Sequence, residues 1–401
     1  LKQRKNLENR TEKCYYKATN KTVLFNSRHD KKTVFPNKEG GTMMKAIVRY
    51  GKEFGGYTMT DVPEPTCGPE DIIIKIKAAA ICGADMKHWR VDNGSDEFNS
   101  IRGHEFAGEI VEVGEKVTDW KVGQRVVSDN SAHVCGVCPA CEQGDFLCCE
   151  EKVNLGLDNN TWGGGFSKYC KVPGEILRIH KHAIWEIPEN VKYEEAAVLD
   201  PICNAYKAVA QQSHLIPGQD VVVFGTGPLG LFSVQIAKLM GAVNIVMVGL
   251  DEDVETRFPV ALEVGATHVV NGSKEDVVKR CTEICGRDNL GLVIECSGAN
   301  IALKQSLEMT RPNAEIVRVG MGFRPLEFSI NDITSWNKSI IGHMAYDSTS
   351  WRNAIRLLAS GQIKVQPLIT HRLGLSEYEK GFDAMAAKEA IKVIFHYDFE
   401  D

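Results

Sequence analysis

Between residues 135 and 149 the chain reads CGVCPACEQGDFLCC, which holds five of its 13 cysteines. Cys135, Cys138, Cys141 and Cys149 are spaced C-x2-C-x2-C-x7-C. Four thiolates complete a tetrahedral zinc site and leave no position open, so such a site holds the chain and does no Lewis-acid work. Cys148 has no place in this spacing and reads as a bystander. Two other readings compete. A zinc-ribbon reader of nucleic acid would need paired CxxC knuckles further apart on a basic surface. A disulfide framework belongs to secreted chains, and no secretion signal is visible.

A second set is scattered. AAAICGADMKHW offers Cys82, Asp85, Lys87 and His88; IRGHEFAGEIVEVG offers His104 and Glu105; EEAAVLDPICNAY offers Asp200. Singly, each has an ordinary explanation: a buried thiol, a core histidine, a helix cap before Pro201. Together, Cys, His and a carboxylate make the open three-ligand zinc set of catalytic sites, with water as the fourth ligand.

A third motif, VVVFGTGPLG, places Gly225, Gly227 and Gly230 after a strand and at the start of an apolar helix. The first glycine permits the tight turn, the second lets backbone approach a pyrophosphate, and the third lets helix and strand pack closely. The helix N-terminus then offers free N–H groups to the phosphates. The acid that should meet the ribose is displaced. Gly249 ends the second strand, and Asp251, Glu252 and Asp253 follow it. An acid there accepts a bond from the 2′-hydroxyl and repels a 2′-phosphate. Gly249 makes room for such a phosphate, and Arg257 is its candidate partner. Three acids against one arginine favour NAD. The expected cofactor contacts are Gly225, Gly227, Pro228, Leu229, Gly230, Asp251 and Arg257, with Cys296, Ser297, Val319, Gly320 and Met321 after the later strands.

The elements that must position these residues follow two rhythms. KAIVRY, DIIIKIKAAAI, FAGEIVEVG and QRVVS are short strands broken by Gly and Pro, which suggests a small barrel. From about residue 217, strand, turn, helix and strand alternate, and GLVIECSG and AEIVRVGMG add buried strands. That is the pattern of an α/β doubly wound parallel sheet. A helix, WRNAIRLLASG, and a strand, AIKVIFHY, close the chain. The length of 401 residues suits two domains. Residues 1–42 carry a net charge of +7 and the remainder −13, against −6 overall. The basic stretch has no hydrophobic block and reads as a disordered extension, with a targeting arm as the alternative. The acidic body argues against nucleic acid and membrane partners. With no transmembrane run and no secretion signal, the expectation is a cytoplasmic protein with reduced thiols.

Taken in order, ICGAD, GHEFAGEIVEVG, the cysteine run, GGGF at 163–166, DP at 200–201 and GTGPLG resemble the zinc-dependent medium-chain dehydrogenases, within them the polyol (sorbitol-like) and threonine dehydrogenase branch. The resemblance covers residues 43–401. It implies a GroES-like barrel domain (43–203), a Rossmann domain (204–342) and a C-terminal return to the barrel (343–401). It implies zinc-assisted hydride transfer between a secondary alcohol and NAD(P), and a homodimer or homotetramer. Cys82 and His104 match ligand positions. Asp200 matches a position held by Cys, Asp or Glu in relatives, and Glu105 an acid that touches the zinc or trades places with water. Asp85 matches an acid that orients His104. The cysteine run matches the structural zinc lobe, so two zinc ions per chain are expected.

One position departs from the family. Relatives carry Ser or Thr after the CG of this motif to pass on the substrate proton, and this chain has Ala84. Glu105 is the first candidate for another route, His88 the second, and bulk water the plain alternative. Glu105, Asp85, Lys87 and His88 suggest a hydroxyl-rich substrate, with Trp89 and Trp162 as pocket walls or plain core. The readings are then a polyol dehydrogenase, a threonine or simple secondary-alcohol dehydrogenase, or a cofactor-binding relative without turnover.

Overall fold

Runs such as DVVVF, IVMVG and LGLVIE are apolar apart from the terminal Asp220 and Glu295, which suits strands covered on both faces. They form Asp220–Phe224, Ile245–Gly249 and Leu290–Glu295, and all three are buried throughout. The computed structural model describes residues 41–49, 56–87, 89, 100–158, 162–322, 324–326 and 328–400. The basic stretch, apart from Gly41 and Thr42, and His88 lie outside the described residues.

The buried strands belong to a six-stranded sheet in the order His268–Asn271, Ile245–Gly249, Asp220–Phe224, Leu290–Glu295, Glu315–Arg318, Ser339–Gly342. Every pairing in it is parallel. This is the doubly wound order, and its reversal point lies at Asp220–Phe224, where such sheets bind dinucleotides. The helix Pro228–Leu239 starts there with Pro at its first position and Gly227 as N-cap.

The second sheet has seven strands. Ile184–Glu186, Arg125–Ser128, Glu105–Val113, Ile72–Ala80, Lys392–His396 and Ile369–Gly374 run side by side, and Tyr169–Val172 also pairs with Ile72–Ala80. The C-terminal strands thus complete the sheet that the N-terminal strands begin. Met43–Arg49, Tyr57–Pro63 and Ser100–Ile101 form a further small sheet. Between the two large sheets the helix Leu199–Tyr206 continues as π-helical turns over Lys207–Gln212, a geometry concentrated at functional sites. Among the described residues no helix is long and apolar enough to cross a membrane.

Candidate active site and metal centres

Strand register assembles the first cluster. Ala80 pairs with Glu105 on one side and with Ile394 on the other. Cys82 just beyond Ala80, His104 and Glu105 at the head of their strand, and Lys392 at the head of the C-terminal strand therefore meet. Gly103 makes the approach possible: its φ is +91°, and a Cβ there would lie 2.6 Å from the ring of Phe166. Cys82 caps the short helix Gly83–Met86, and its N–H donates to Asp85 Oδ2 at 3.0 Å.

One donor atom from each of Cys82, His104 and Glu105 lies within 4.8 Å of the others. His104 Nδ1 faces Asp85 Oδ1 at 3.5 Å, which leaves Nε2 for a metal, as expected of an orienting carboxylate. Burial works against a charged His104, but Asp85 and Cys82 outweigh it and push its pKa well up. The same negative field favours a cation. Glu105 Oε1 is buried without a hydrogen-bond partner. Thiolate, imidazole and carboxylate in a buried group with unsatisfied polar atoms fit zinc, with space left for substrate.

Asp200 differs from expectation. It stands outside the tight group, because Asn130 and Asn204 donate to its two carboxylate oxygens at 3.2 and 3.0 Å. It still faces the same cavity. Sequence reasoning missed Lys392. It is 1% exposed, donates to the Ile81 carbonyl at 3.0 Å and lies 2.5 Å from Glu105 Oε2. Burial opposes its charge, but Glu105 and Cys82 more than offset that and raise its pKa. No local pattern marked it, since IKVIF reads as an ordinary strand. Asn130, Asn204, His343 and Tyr346 were missed for the same reason. Tyr346 donates to the Asp129 carbonyl at 2.6 Å, and His343 lies between Gln212 and Asn204.

The cysteine run forms the other cluster. The donor sulfurs of Cys135, Cys138, Cys141 and Cys149 lie within 4.8 Å of one another. The Cys135 N–H donates to Cys149 Sγ at 3.4 Å. Backbone N–H groups, that of Val137 foremost, draw the Cys135 thiol down to about 7. Cys148 is exposed and outside the cluster. Burial pushes the Cys141 and Cys149 thiols up instead, and four sulfurs converging in this way fit a closed zinc site, in which the metal would hold them as thiolates.

A cavity of about 630 Å³ joins the first cluster to the parallel sheet. Gly227, Pro228, Leu229 and Gly230 line it, as do Cys296, Ser297, Val319, Gly320 and Met321. Gly225 has φ +93°, and a Cβ there would meet the Ser297 backbone at 2.9 Å. A Cβ on Gly230 would stand 1.8 Å from the Gly225 carbonyl oxygen, whereas one on Gly227 meets nothing within 4 Å. The open space at Gly227 suits a phosphate, so the turn fits a dinucleotide. Lys87, Asn154 and Asp158 give the cavity polar groups next to Ala84 and Leu157.

Two ribose-end expectations change. Arg257 is engaged elsewhere: its guanidinium donates to Asp253 Oδ1 at 3.1 Å and to the Ala390 carbonyl at 3.0 Å, and neither Arg257 nor Asp251 lines the cavity. Gly249 leaves no gap for a phosphate, because Asp253 Oδ2 lies 2.8 Å from where its Cβ would be. The turn at 251–253 folds Asp253 back, and its carboxylate accepts the Leu250 N–H. Asp251 is exposed, and Asn271 and Lys274 hold its carboxyl below the usual range. Trp89 is core: it stacks on Phe382 at 4.8 Å and bonds Asp383. Trp162 packs against the same core.

Comparison with known proteins agrees with this architecture. Residues 68–181 match the alcohol dehydrogenase GroES-like domain, and residues 228–360 match the zinc-binding dehydrogenase domain. The chain is 80% identical over 358 residues to the uncharacterized zinc-type alcohol dehydrogenase-like protein YdjL of Escherichia coli (strain K12), covering 89% of this chain and 100% of that one. It is 33% identical to the sorbitol dehydrogenase of Halalkalibacterium halodurans, over 88% of this chain and 98% of that one. The crystal structure of 2R,3R-butanediol dehydrogenase from Bacillus subtilis superposes with a TM-score of 0.77 at 29% identity, covering 88% of this chain and 100% of that one. Of the other matched structures, one is bound to NADP and another to NADH. With these relatives and the GroES-like and parallel-sheet folds together, the chain belongs to the zinc-dependent medium-chain dehydrogenases, in the branch of the sorbitol and threonine dehydrogenases.

Proposed function

We propose that this protein oxidises a secondary hydroxyl of a polyol or sugar alcohol to the ketone and catalyses the reverse reduction, with NAD as cofactor. The observation that carries this reading is the single cavity that joins the Cys82–His104–Glu105 cluster to the glycine turn. A zinc ion held by Cys82, His104 and Glu105, with Asp200 nearby, would acidify the substrate hydroxyl, and a bound nicotinamide would accept the hydride. Asp85 fixes the imidazole of His104. Lys392 lies against Oε2 of Glu105, and this carboxylate, on exchanging its place beside the zinc for water, is the group placed to accept the hydroxyl proton that Ala84 cannot relay. Lys87 and the Asn154–Asp158 pair, in which Asn154 Nδ2 donates to Asp158 Oδ2 at 2.7 Å, make the cavity wall polar, which suits a substrate with further hydroxyls.

The preference for NAD rests on Arg257 being tied to Asp253, which removes the candidate partner of a 2′-phosphate. The cysteine cluster holds a second, structural zinc, and the protein works as a homo-oligomer. The test is a panel of pentitols, hexitols, sugar phosphates, butanediol and threonine, each with NAD and NADP. Highest kcat/KM on a polyol with NAD supports the reading. A preference for threonine or butanediol moves the substrate within the family and overturns the polyol assignment.

A further inference from the structure

Arg102, two residues before His104, is 1% exposed. A charge so deep is costly unless it is paired. Its Nη1 donates to the Leu157 carbonyl. Its Nη2 lies 3.7 Å from Asp85 Oδ1, the same oxygen that faces His104 Nδ1 at 3.5 Å. The ring of Tyr57 covers the guanidinium at 5.5 Å, and the Tyr57 hydroxyl donates to the Asp85 carbonyl at 2.8 Å. Arg102 Nη2, Asp85 Oδ1 and His104 Nδ1 have no hydrogen-bond partners. Three buried polar atoms therefore converge just beyond bonding distance, where a small shift of the imidazole satisfies them.

The Leu157 end matters as much. Leu157 and Asp158 line the cavity. Their loop lies directly on the backbone that carries His104: a Cβ on Gly156 would stand 1.9 Å from the Gly103 carbonyl oxygen. The guanidinium thus spans from the carboxylate behind the metal ligand to the loop that shapes the cavity.

We propose that Arg102 is a positioning residue that couples the two halves of this site, pressing Asp85 against His104 on one side and fixing the Leu157 loop on the other. The proposal rests on reading the Cys82–His104–Glu105 cluster as the catalytic metal centre. A planar guanidinium can serve a carboxylate and a carbonyl at once along fixed, diverging N–H directions; a lysine ammonium keeps the charge but not that geometry.

The test compares R102M and R102K with the unsubstituted protein, following release of zinc to a coloured chelator. Two phases are expected from the unsubstituted protein, one for each cluster. In R102M the phase from the catalytic cluster should quicken by about tenfold or more, the usual scale for losing an outer partner of a metal ligand. The phase from the cysteine cluster should not change. R102K should restore most of the metal retention while KM for the alcohol stays raised and kcat is near normal. Cobalt in the catalytic cluster gives a readout that needs no turnover, and its visible bands should shift in R102M and return in R102K. Unchanged release in R102M, or equal quickening of both phases, overturns the proposal. Should R102M fail to fold, R102K decides alone, and an unchanged KM overturns it. If the unsubstituted protein binds one zinc per chain, the catalytic-centre reading fails and the proposal falls with it. Two zincs with unaltered release leave that reading standing and remove only the role of Arg102.

Discussion

Replacing Lys392 alone should destabilise the protein more than replacing Lys392 and Glu105 together. Each is 1% exposed, and Nζ lies 2.5 Å from Oε2. In K392M the carboxylate is stranded without its cation, which costs about 3–5 kcal/mol. In E105Q the ammonium keeps the Ile81 carbonyl at 3.0 Å and gains an amide oxygen, so the cost is about 1–3 kcal/mol. In the double variant no charge is stranded and methionine fills the volume of the lysine stem. Stability should return to within about 1–2 kcal/mol of the unsubstituted protein. The coupling energy is then about 2–7 kcal/mol, far above the ~0.5 kcal/mol that separates independent sites from coupled ones. The assay is urea unfolding followed by circular dichroism on the four proteins, matched for zinc content. If the cost of the double variant equals the two single costs added together, the pair does not act as an ion pair, and Lys392 matters only through its packed stem. Zinc supplies a control. A cation on Glu105 substitutes for the ammonium, so K392M should lose less stability when zinc-loaded than after chelation.

The other expectations are simpler to read. E105Q should lower kcat by about 100-fold or more when compared on protein loaded to the same zinc content; near-full activity in E105Q together with a faster A84S would mean that the proton route was weakened at Ala84 and not moved to Glu105. C82S should abolish turnover while the fold survives, C149S should reduce stability or assembly, and C148S should do little; metal analysis should find two zinc ions per chain, and equal damage from C148S and C149S refutes the cluster assignment. D251A should relax the preference for NAD, and a higher kcat/KM with NADP in the unsubstituted enzyme refutes that preference. Burial, helped by Lys207, depresses the His343 imidazole from 6.5 to about 4. The unfolded chain therefore takes up this proton first, so the contribution is full above about pH 6.5 and is lost as pH falls toward 4, about 3 kcal/mol in all. The urea midpoint of H343N should fall less over that range, and identical slopes refute the assignment.

Features set by neighbouring residues were legible in the sequence. The cysteine cluster closes within residues 135–149, so spacing alone specifies its four sulfurs. The glycine turn is equally local: the positive φ of Gly225 and the tight contact of Gly230 follow from one strand–turn–helix unit. The alternation of strand, turn and helix from about residue 217 announced the parallel sheet, and its strands are buried on both faces. The rest depended on which distant residues the sheets bring together. Lys392 reaches the Ile81 carbonyl across 311 residues of chain, and nothing in a strand that reads KVIFH records that its first side chain meets Glu105. Asp200 bears a carboxylate at a ligand-like position, yet Asn130, 70 residues earlier, and Asn204 orient it. Arg257 looked available as a cation until the fold set it between Asp253 and the Ala390 carbonyl. Residue type and spacing determine which chemistry is possible at a local motif, because a turn or a short cluster is solved by its own backbone. Which charge faces which in a buried site is decided by strand register and helix placement, because burial makes each ionised group depend on partners that only tertiary packing supplies.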